Sequence, residues 1–141
     1  MEDLEGILHI ERASFPSPWS EEVFFHEMQN RLSTILVAKR RSGKGWELLS
    51  YLCFWIMAEE CHILNLATHP EFRRQGTASL LLAHTLSHCT DKGIKRVFLE
   101  VRNSNVPAQS LYQKHGFQTD YIRKDYYTDT CEDALVMALE L

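Results

Sequence analysis

His62-Ile63-Leu64-Asn65-Leu66-Ala67-Thr68-His69-Pro70-Glu71-Phe72-Arg73-Arg74-Gln75-Gly76-Thr77-Ala78 runs from a strand through a break into a basic loop and a helix start. His62 to Thr68 is rich in aliphatic residues of the kind that fill a strand, and His69-Pro70-Glu71 interrupts it. From Thr77 to Cys89, Ala78, Leu81, Leu82, Leu86 and Cys89 recur at helical spacing, and Asp91-Lys92-Gly93 closes that helix. The loop between the two suits an anion. Free backbone N–H groups and the positive helix end favour negative charge, Gly76 and Ala78 keep bulky side chains away, and Arg73 and Arg74 add charge. No Lys-Ser/Thr follows the glycine as in a P-loop, and the three glycines of a dinucleotide fingerprint are missing, which disfavours a nucleoside triphosphate or NAD. Taken alone, R-x-x-G-x-A is equally compatible with a plain basic helix start.

The remaining elements extend outward from this unit. Asp3 to Phe15 reads as a helix ended by Pro16-Ser17-Pro18. Ser20 caps a second helix that presents Phe24, Phe25 and Met28 as its apolar side and stops near Asn30. Thr34 to Ala38 and Glu47 to Met57 are strands joined through Arg41-Ser42-Gly43-Lys44-Gly45, and with His62 to Thr68 they form an antiparallel meander. Lys95 to Arg102 is a further strand. Asn105 or Ser104 begins a helix with Pro107 in its first turn and Gly116 as terminator, followed by strands from Phe117 to Tyr126 and from Ala134 to Glu140. The expected order is αα-βββ-α-β-α-ββ.

Composition narrows the function classes. At 141 residues and 45% hydrophobic content, the chain is expected to form one domain over residues 1–141 with a packed core. A net charge of −4 argues against direct nucleic-acid binding through the overall field. The longest apolar stretch, Leu48 to Ala58, is about half of what crosses a membrane and reads as a buried strand, and the acidic start is unlike an export signal, so a cytoplasmic protein is expected. Cys53, Cys61, Cys89 and Cys131 are widely spaced and expected to be reduced and mostly buried. His84 and His88 stand at i, i+4 without the glutamate of H-E-x-x-H, so no metal site is expected.

Further motifs carry a resemblance. Phe15-Pro16-Ser17-Pro18-Trp19-Ser20, Asn65-Leu66-Ala67 ahead of Pro70, Arg73-Arg74-Gln75-Gly76, Leu99-Glu100-Val101-Arg102-Asn103-Ser104-Asn105, Leu111-Tyr112 with Gly116-Phe117, Tyr126-Tyr127 and Glu132-Asp133-Ala134 span nearly the whole chain. Together they resemble the GNAT acetyltransferases and, within them, the RimI-type protein N-terminal acetyltransferases. The resemblance implies an α/β (α+β) fold. Its sheet would be mixed, mostly antiparallel and twisted, with six to seven strands, about four helices and splayed central strands. Acetyl-CoA would lie in the splay between Leu64 to Thr68 and Val97 to Val101, its pantetheine on the backbone of Leu66, Ala67 and Thr68. The diphosphate would sit on Arg73, Arg74, Gln75, Gly76, Thr77, Ala78 and Ser79, with Asn105 beside the thiol arm. Thr68 in place of a usual valine and Val106-Pro107 in place of small residues depart from the pattern without removing a functional group.

The chemistry needs little. An α-amine has a pKa of about 7.7 to 8.0, so one carboxylate suffices as base. Alternation along Val97-Phe98-Leu99-Glu100-Val101-Arg102 puts Glu100 on a face with Phe98 and Arg102, where it must meet a cation or a wet cleft. The resemblance assigns Glu100 as general base and Tyr112 as general acid. Residue chemistry alone also allows Glu100 to pair with Arg102 or another cation and Tyr112 to be a core aromatic, and the resemblance leaves Glu59 or Glu60, ahead of the third strand, as a second-ranked competing base. The Pro16-Ser17-Pro18-Trp19 loop on one side and Lys124-Asp125-Tyr126-Tyr127-Thr128 on the other, with Trp19, Tyr126 and Tyr127 as the contacting rings, are expected to frame a peptide, and Tyr126 and Tyr127 are equally compatible with ordinary strand-end aromatics. By resemblance the acceptor is a protein N-terminus, the alanine of a small-subunit ribosomal protein, and the enzyme a monomer or weak dimer. A lysine or small-amine acetyltransferase is the enzymatic alternative, and a non-catalytic acyl-CoA sensor or scaffold the other.

Overall fold

The computed structural model describes residues 2–141. Helices α1 (Leu4–Ser14) and α2 (Glu21–Gln29) lead into strands β1 (Ser33–Ser42), β2 (Gly45–Met57) and β3 (Glu60–Thr68). A short 3-10 turn (Pro70–Phe72), α3 (Thr77–Asp91), β4 (Arg96–Arg102), α4 (Val106–Lys114), β5 (Gln118–Tyr127) and β6 (Glu132–Glu140) follow, in the order read from sequence. Local chemistry sets the boundaries. Ser20 Oγ accepts from Val23 N to start α2, and Asn105 Oδ1 accepts from Ala108 N to start α4. Gly116, at φ +97°, ends the α4 turn in the left-handed region.

The six strands form one sheet in the order β1-β2-β3-β4-β6-β5, antiparallel throughout except for β3 against β4. On one face α3, through Leu82, and α4, through Tyr112, pack over Leu52, Phe54, Ile63, Leu99 and Met137 of the sheet, and on the other Ile7 and Ile10 of α1 and Phe24 of α2 pack over Tyr51. Burying each such side chain stabilises the fold by about 1.5–3 kcal/mol. Among the described residues no helix is long and apolar enough to cross a membrane, and Leu48 to Ala58 lies largely in β2. The four cysteines are free, three of them buried and Cys131 exposed. One side chain departs from its expected place: Phe25 is 53% exposed, because α2 turns only Phe24 fully inward and Met28 partly. β1 also reaches beyond Ala38, since Lys39 to Ser42 continue the ladder to the turn.

The feature that matters for function lies at the sheet centre. Parallel pairing of β3 with β4 covers only Glu60 to Ile63 against Arg96 to Leu99. At the same place the β2 register jumps, with Cys53 opposite Asn65 but Phe54 opposite Ile63, so Leu64 is an extra, bulged residue. The bulge reverses which side chains face each helix layer: Ile63 packs into the α3 side, whereas Asn65 reaches Glu11 of α1. Beyond it the two central strands diverge. The expected splay therefore starts at Leu64 and Glu100, since Val97 to Leu99 are still paired.

Candidate active site

Two cavities open along the splay. The first, about 540 Å³, is walled by β4 from Leu99 to Arg102, by Phe15 to Ser17 and Trp19, and by Tyr126 to Asp129. The second, about 640 Å³, is walled by Leu66 to Thr68, Arg73, Arg74 and Gly76 to Ser79. Ser14, Phe15, Leu66, Asn105, Ala108 and Tyr112 belong to both walls, so the cavities meet there.

Glu100 lines the first cavity, its side chain only 12% exposed. β4 alternates buried and half-buried positions, with Val97, Leu99 and Val101 in the α3-side core and Glu100 on the opposite face. The partner of its carboxylate is His62 of β3, with Nε2 2.6 Å from Oε2, and Arg123 Nη1 stands 4.0 Å from Oε1. Arg102 turns elsewhere. Its guanidinium makes a forked contact to Asp129 at 2.8 and 3.2 Å and covers the Tyr127 ring at 4.0 Å. Those hydrogen bonds hold the Asp129 carboxyl down at about 2. Ser17 Oγ donates to the same carboxylate at 2.8 Å, tying the α1–α2 loop to the β5–β6 hairpin across the cavity mouth.

Tyr112 sits at the junction of the cavities, nearly buried, with no protein hydrogen bond to its hydroxyl among the described residues. Burial, with Tyr127 nearby, pushes its phenol above the ordinary value, so it stays protonated at neutral pH. Tyr126 and Tyr127 reach the first cavity because β5 carries surplus residues between Arg123 and Tyr127, with Asp125 at φ +52°. Asp133 holds that bend by accepting from Asp125 N at 3.0 Å and Lys124 Nζ at 3.3 Å. Burial pushes the Tyr127 phenol up to about 12.

The second cavity has the form of an anion cradle. α3 begins at Gly76 (φ +80°) with no side chain capping it, leaving its first N–H groups free, and a Cβ at Gly76 would meet nothing within 4 Å. Arg74 is exposed on the cavity rim, whereas Arg73 folds back, donating to Thr68 O and Ser14 Oγ at 3.2 Å each. An uncapped helix start, an open glycine and unpaired β3 backbone suit the diphosphate and pantetheine of a coenzyme A thioester. Residues 4–117 match the family model described as the acetyltransferase (GNAT) family. The chain belongs to the GNAT acetyltransferases. Acetyl-CoA is the co-substrate of this family.

Similarity to relatives runs over nearly the whole chain. A Bacillus subtilis protein provisionally named a [ribosomal protein bS18]-alanine N-acetyltransferase is 41% identical over 138 residues, covering 97% of this chain and 89% of the relative. The Escherichia coli [ribosomal protein bS18]-alanine N-acetyltransferase is 33% identical over 141 residues, covering 99% and 92%. The crystal structure of the Escherichia coli ribosomal-protein-S18-alanine N-acetyltransferase superposes with a TM-score of 0.87 at 33% identity, covering 99% of this chain and 88% of that one.

Within this GNAT chain the residues singled out from sequence fall mostly together. Glu100, Tyr112, Trp19, Tyr126 and Tyr127 share the first cavity, and Leu66, Ala67, Thr68, Arg73, Arg74, Gly76, Thr77, Ala78, Ser79 and Asn105 line the second. Gln75 is exposed and lies outside both walls. Glu59 and Glu60 are also exposed outside both cavities, with Glu60 facing Arg96 at 3.4 Å, which removes them from contact with an amine there. His84 and His88 belong to no group of three or more candidate metal ligands among the described residues. Three groups escaped the sequence reading. His62 carries no sequence marker beyond its place at the start of a strand. Half-buried Asn65 and buried Glu11 form a cluster in which Glu11 accepts from Tyr51 Oη, from Asn65 Nδ2 at 2.9 Å and from Trp19 N at 2.8 Å. The signal for Glu11 existed: it follows Leu4, Ile7 and Leu8 on one helical stripe, where a carboxylate demands partners.

Proposed function

We propose that the protein transfers acetyl from acetyl-CoA to the N-terminal α-amine of a protein, with the alanine that begins a ribosomal protein such as bS18 as its acceptor. The observation that carries this reading is a carboxylate and a protonated phenol in one cavity, the phenol standing where that cavity meets the anion cradle. The two named bS18-alanine acetyltransferases, aligned over nearly the whole chain, support the acceptor class.

When bound, acetyl-CoA supplies the thioester carbon that accepts an amine and the sulfur that departs. Gly76 to Ser79 and Arg74 hold its diphosphate, and Leu66 to Thr68 present free strand backbone to its arm. Glu100 accepts the proton that the α-ammonium must lose. A carboxylate can do so because an α-amine, at about 7.7–8.0, is far closer to neutrality than a lysine at about 10.4. Tyr112 holds its proton at the cavity junction, positioned to pass it to the departing sulfur. Trp19, Tyr126 and Tyr127 flank the approach of an extended peptide, with the Ser17–Asp129 bond fixing the spacing of the two loops. Direct transfer fits this arrangement, because Cys53, Cys61 and Cys89 are buried in the core and Cys131 lies outside both cavities.

The test is turnover of acetyl-CoA with three acceptors: an Ala-starting peptide, the same peptide with its α-amine blocked and a lysine left free, and a small aliphatic amine. Free-thiol release with the first alone is expected. Faster turnover with either of the others contradicts the N-terminal assignment.

A further inference from the structure

We infer that His62 is a positioning residue of the acetyl transfer, holding Glu100 through one carboxylate oxygen and leaving the other toward the acceptor amine. The inference rests on the proposed role of Glu100 as base. His62 Nε2 lies 2.6 Å from Glu100 Oε2, a short contact joining the two central strands where they part. The imidazole is itself fixed on two sides. It stacks on Phe98, its register partner on β4, with centroids 4.4 Å apart and planes 10° from parallel, and meets the Trp55 ring edge-on at 6.3 Å. Trp55 is anchored in turn by Nε1 donating to Glu27 Oε2 of α2 at 2.7 Å. A ring so wedged cannot follow a swinging carboxylate; it restrains one. Glu100 lines the first cavity and His62 does not, so the imidazole acts only through the carboxylate. The remaining neighbour, Arg123 at 4.0 Å from Oε1, is half-exposed on edge strand β5 and offers a looser hold.

Fixing one oxygen matters because a base works only within hydrogen-bond reach of the proton it takes. A carboxylate free to rotate, or drawn toward Arg123, spends part of its time misaligned, and displacements of about 1 Å are enough to cost large factors in rate. A purely structural His62 would show a different pattern: loss of stability with unchanged kcat per folded molecule.

The experiment is steady-state kinetics on folded, monodisperse protein with acetyl-CoA and an Ala-starting peptide, for His62→Leu, His62→Gln, Glu100→Gln and the double variant His62→Leu/Glu100→Gln. His62→Leu is expected to lower kcat about tenfold while the KM for acetyl-CoA stays within about twofold. The amide of glutamine reaches as far as Nε2 and can donate to Glu100, so His62→Gln is expected to recover most of that loss. In the Glu100→Gln background the leucine change is expected to alter kcat by less than about twofold, because the group it acts through is gone. If leucine does not fold, His62→Asn, whose amide stops short of Glu100, replaces it. Full kcat in His62→Leu, no recovery with glutamine, or an undiminished effect in the Glu100→Gln background each overturns the inference. Unchanged turnover in Glu100→Gln itself overturns the base assignment and this inference with it, so the two failures are distinguishable.

Discussion

Glu11→Leu tests how the fold delivers the peptide loop to the site. Glu11 is 1% exposed, and its carboxylate accepts three hydrogen bonds, from Tyr51 Oη, Asn65 Nδ2 and Trp19 N. Burial foremost, and the adjacent Glu11 carboxylate, push the Tyr51 phenol far above its ordinary value, so it stays a donor at every working pH. Leucine would strand all three donors, and each buried donor left unpaired costs about 1–3 kcal/mol. Relief from burying a charge offsets part of this, leaving a net loss of about 3–5 kcal/mol, as for other broken buried charge networks. For a chain of this size that lowers Tm by roughly 10–15 °C. Urea unfolding of wild type, Glu11→Leu, Tyr51→Phe and the double variant gives the assay, with a coupling of at least about 1 kcal/mol expected between the two positions. The released Trp19 loop is expected to raise the KM for peptide and leave that for acetyl-CoA unaltered. A loss below about 1 kcal/mol with an unchanged m-value, or strict additivity, refutes the reasoning.

Three other outcomes follow from the same geometry. Tyr112→Phe removes only the phenolic oxygen and should lower kcat about 100-fold with little change in either KM, and a kcat within about twofold of wild type contradicts its acid role. Gly76→Ala places a residue with a Cβ at φ +80° where nothing lies within 4 Å, so unfolding should show a backbone cost of about 1–2 kcal/mol; a several-fold rise in the KM for acetyl-CoA is expected, and an unchanged KM places the diphosphate elsewhere. Asp129, held near 2 by Arg102 against an ordinary 3.8, contributes stability above pH 3.8 that disappears as pH falls through about 2; an NMR titration of its carboxyl with a midpoint at or above 3.8 contradicts the Arg102 clasp.

The element order, the caps at Ser20 and Asn105, and the alternation that sets Glu100 opposite the Val97-Leu99-Val101 face were legible because each is encoded within a few residues. The anion loop was legible for the same reason, since an uncapped helix start after a glycine is a local pattern. What escaped depends on register. The bulge at Leu64 has no marker in Ile63-Leu64-Asn65, yet it is what turns Asn65 toward Glu11 and lets β3 leave β4. His62 meets Glu100 only through the parallel pairing of strands distant in sequence, and the residue-level alternative of a Glu100–Arg102 pair fails because Asp129, Glu132 and Tyr127 occupy Arg102. Phe25 shows the opposite limit: hydrophobicity alone pointed it inward, but a nine-residue helix lying on one face of the sheet buries a narrower stripe.

The most direct measurement locates the acetyl group itself. An Ala-starting peptide with an internal lysine is incubated near neutral pH with acetyl-CoA and either wild type or Glu100→Gln, and the product is sequenced by fragment-ion mass spectrometry. A single acetyl on the alanine α-amine, formed at least about 100-fold more slowly by Glu100→Gln, is the expected result. Acetyl on the lysine, or equal rates from the two proteins, would contradict it.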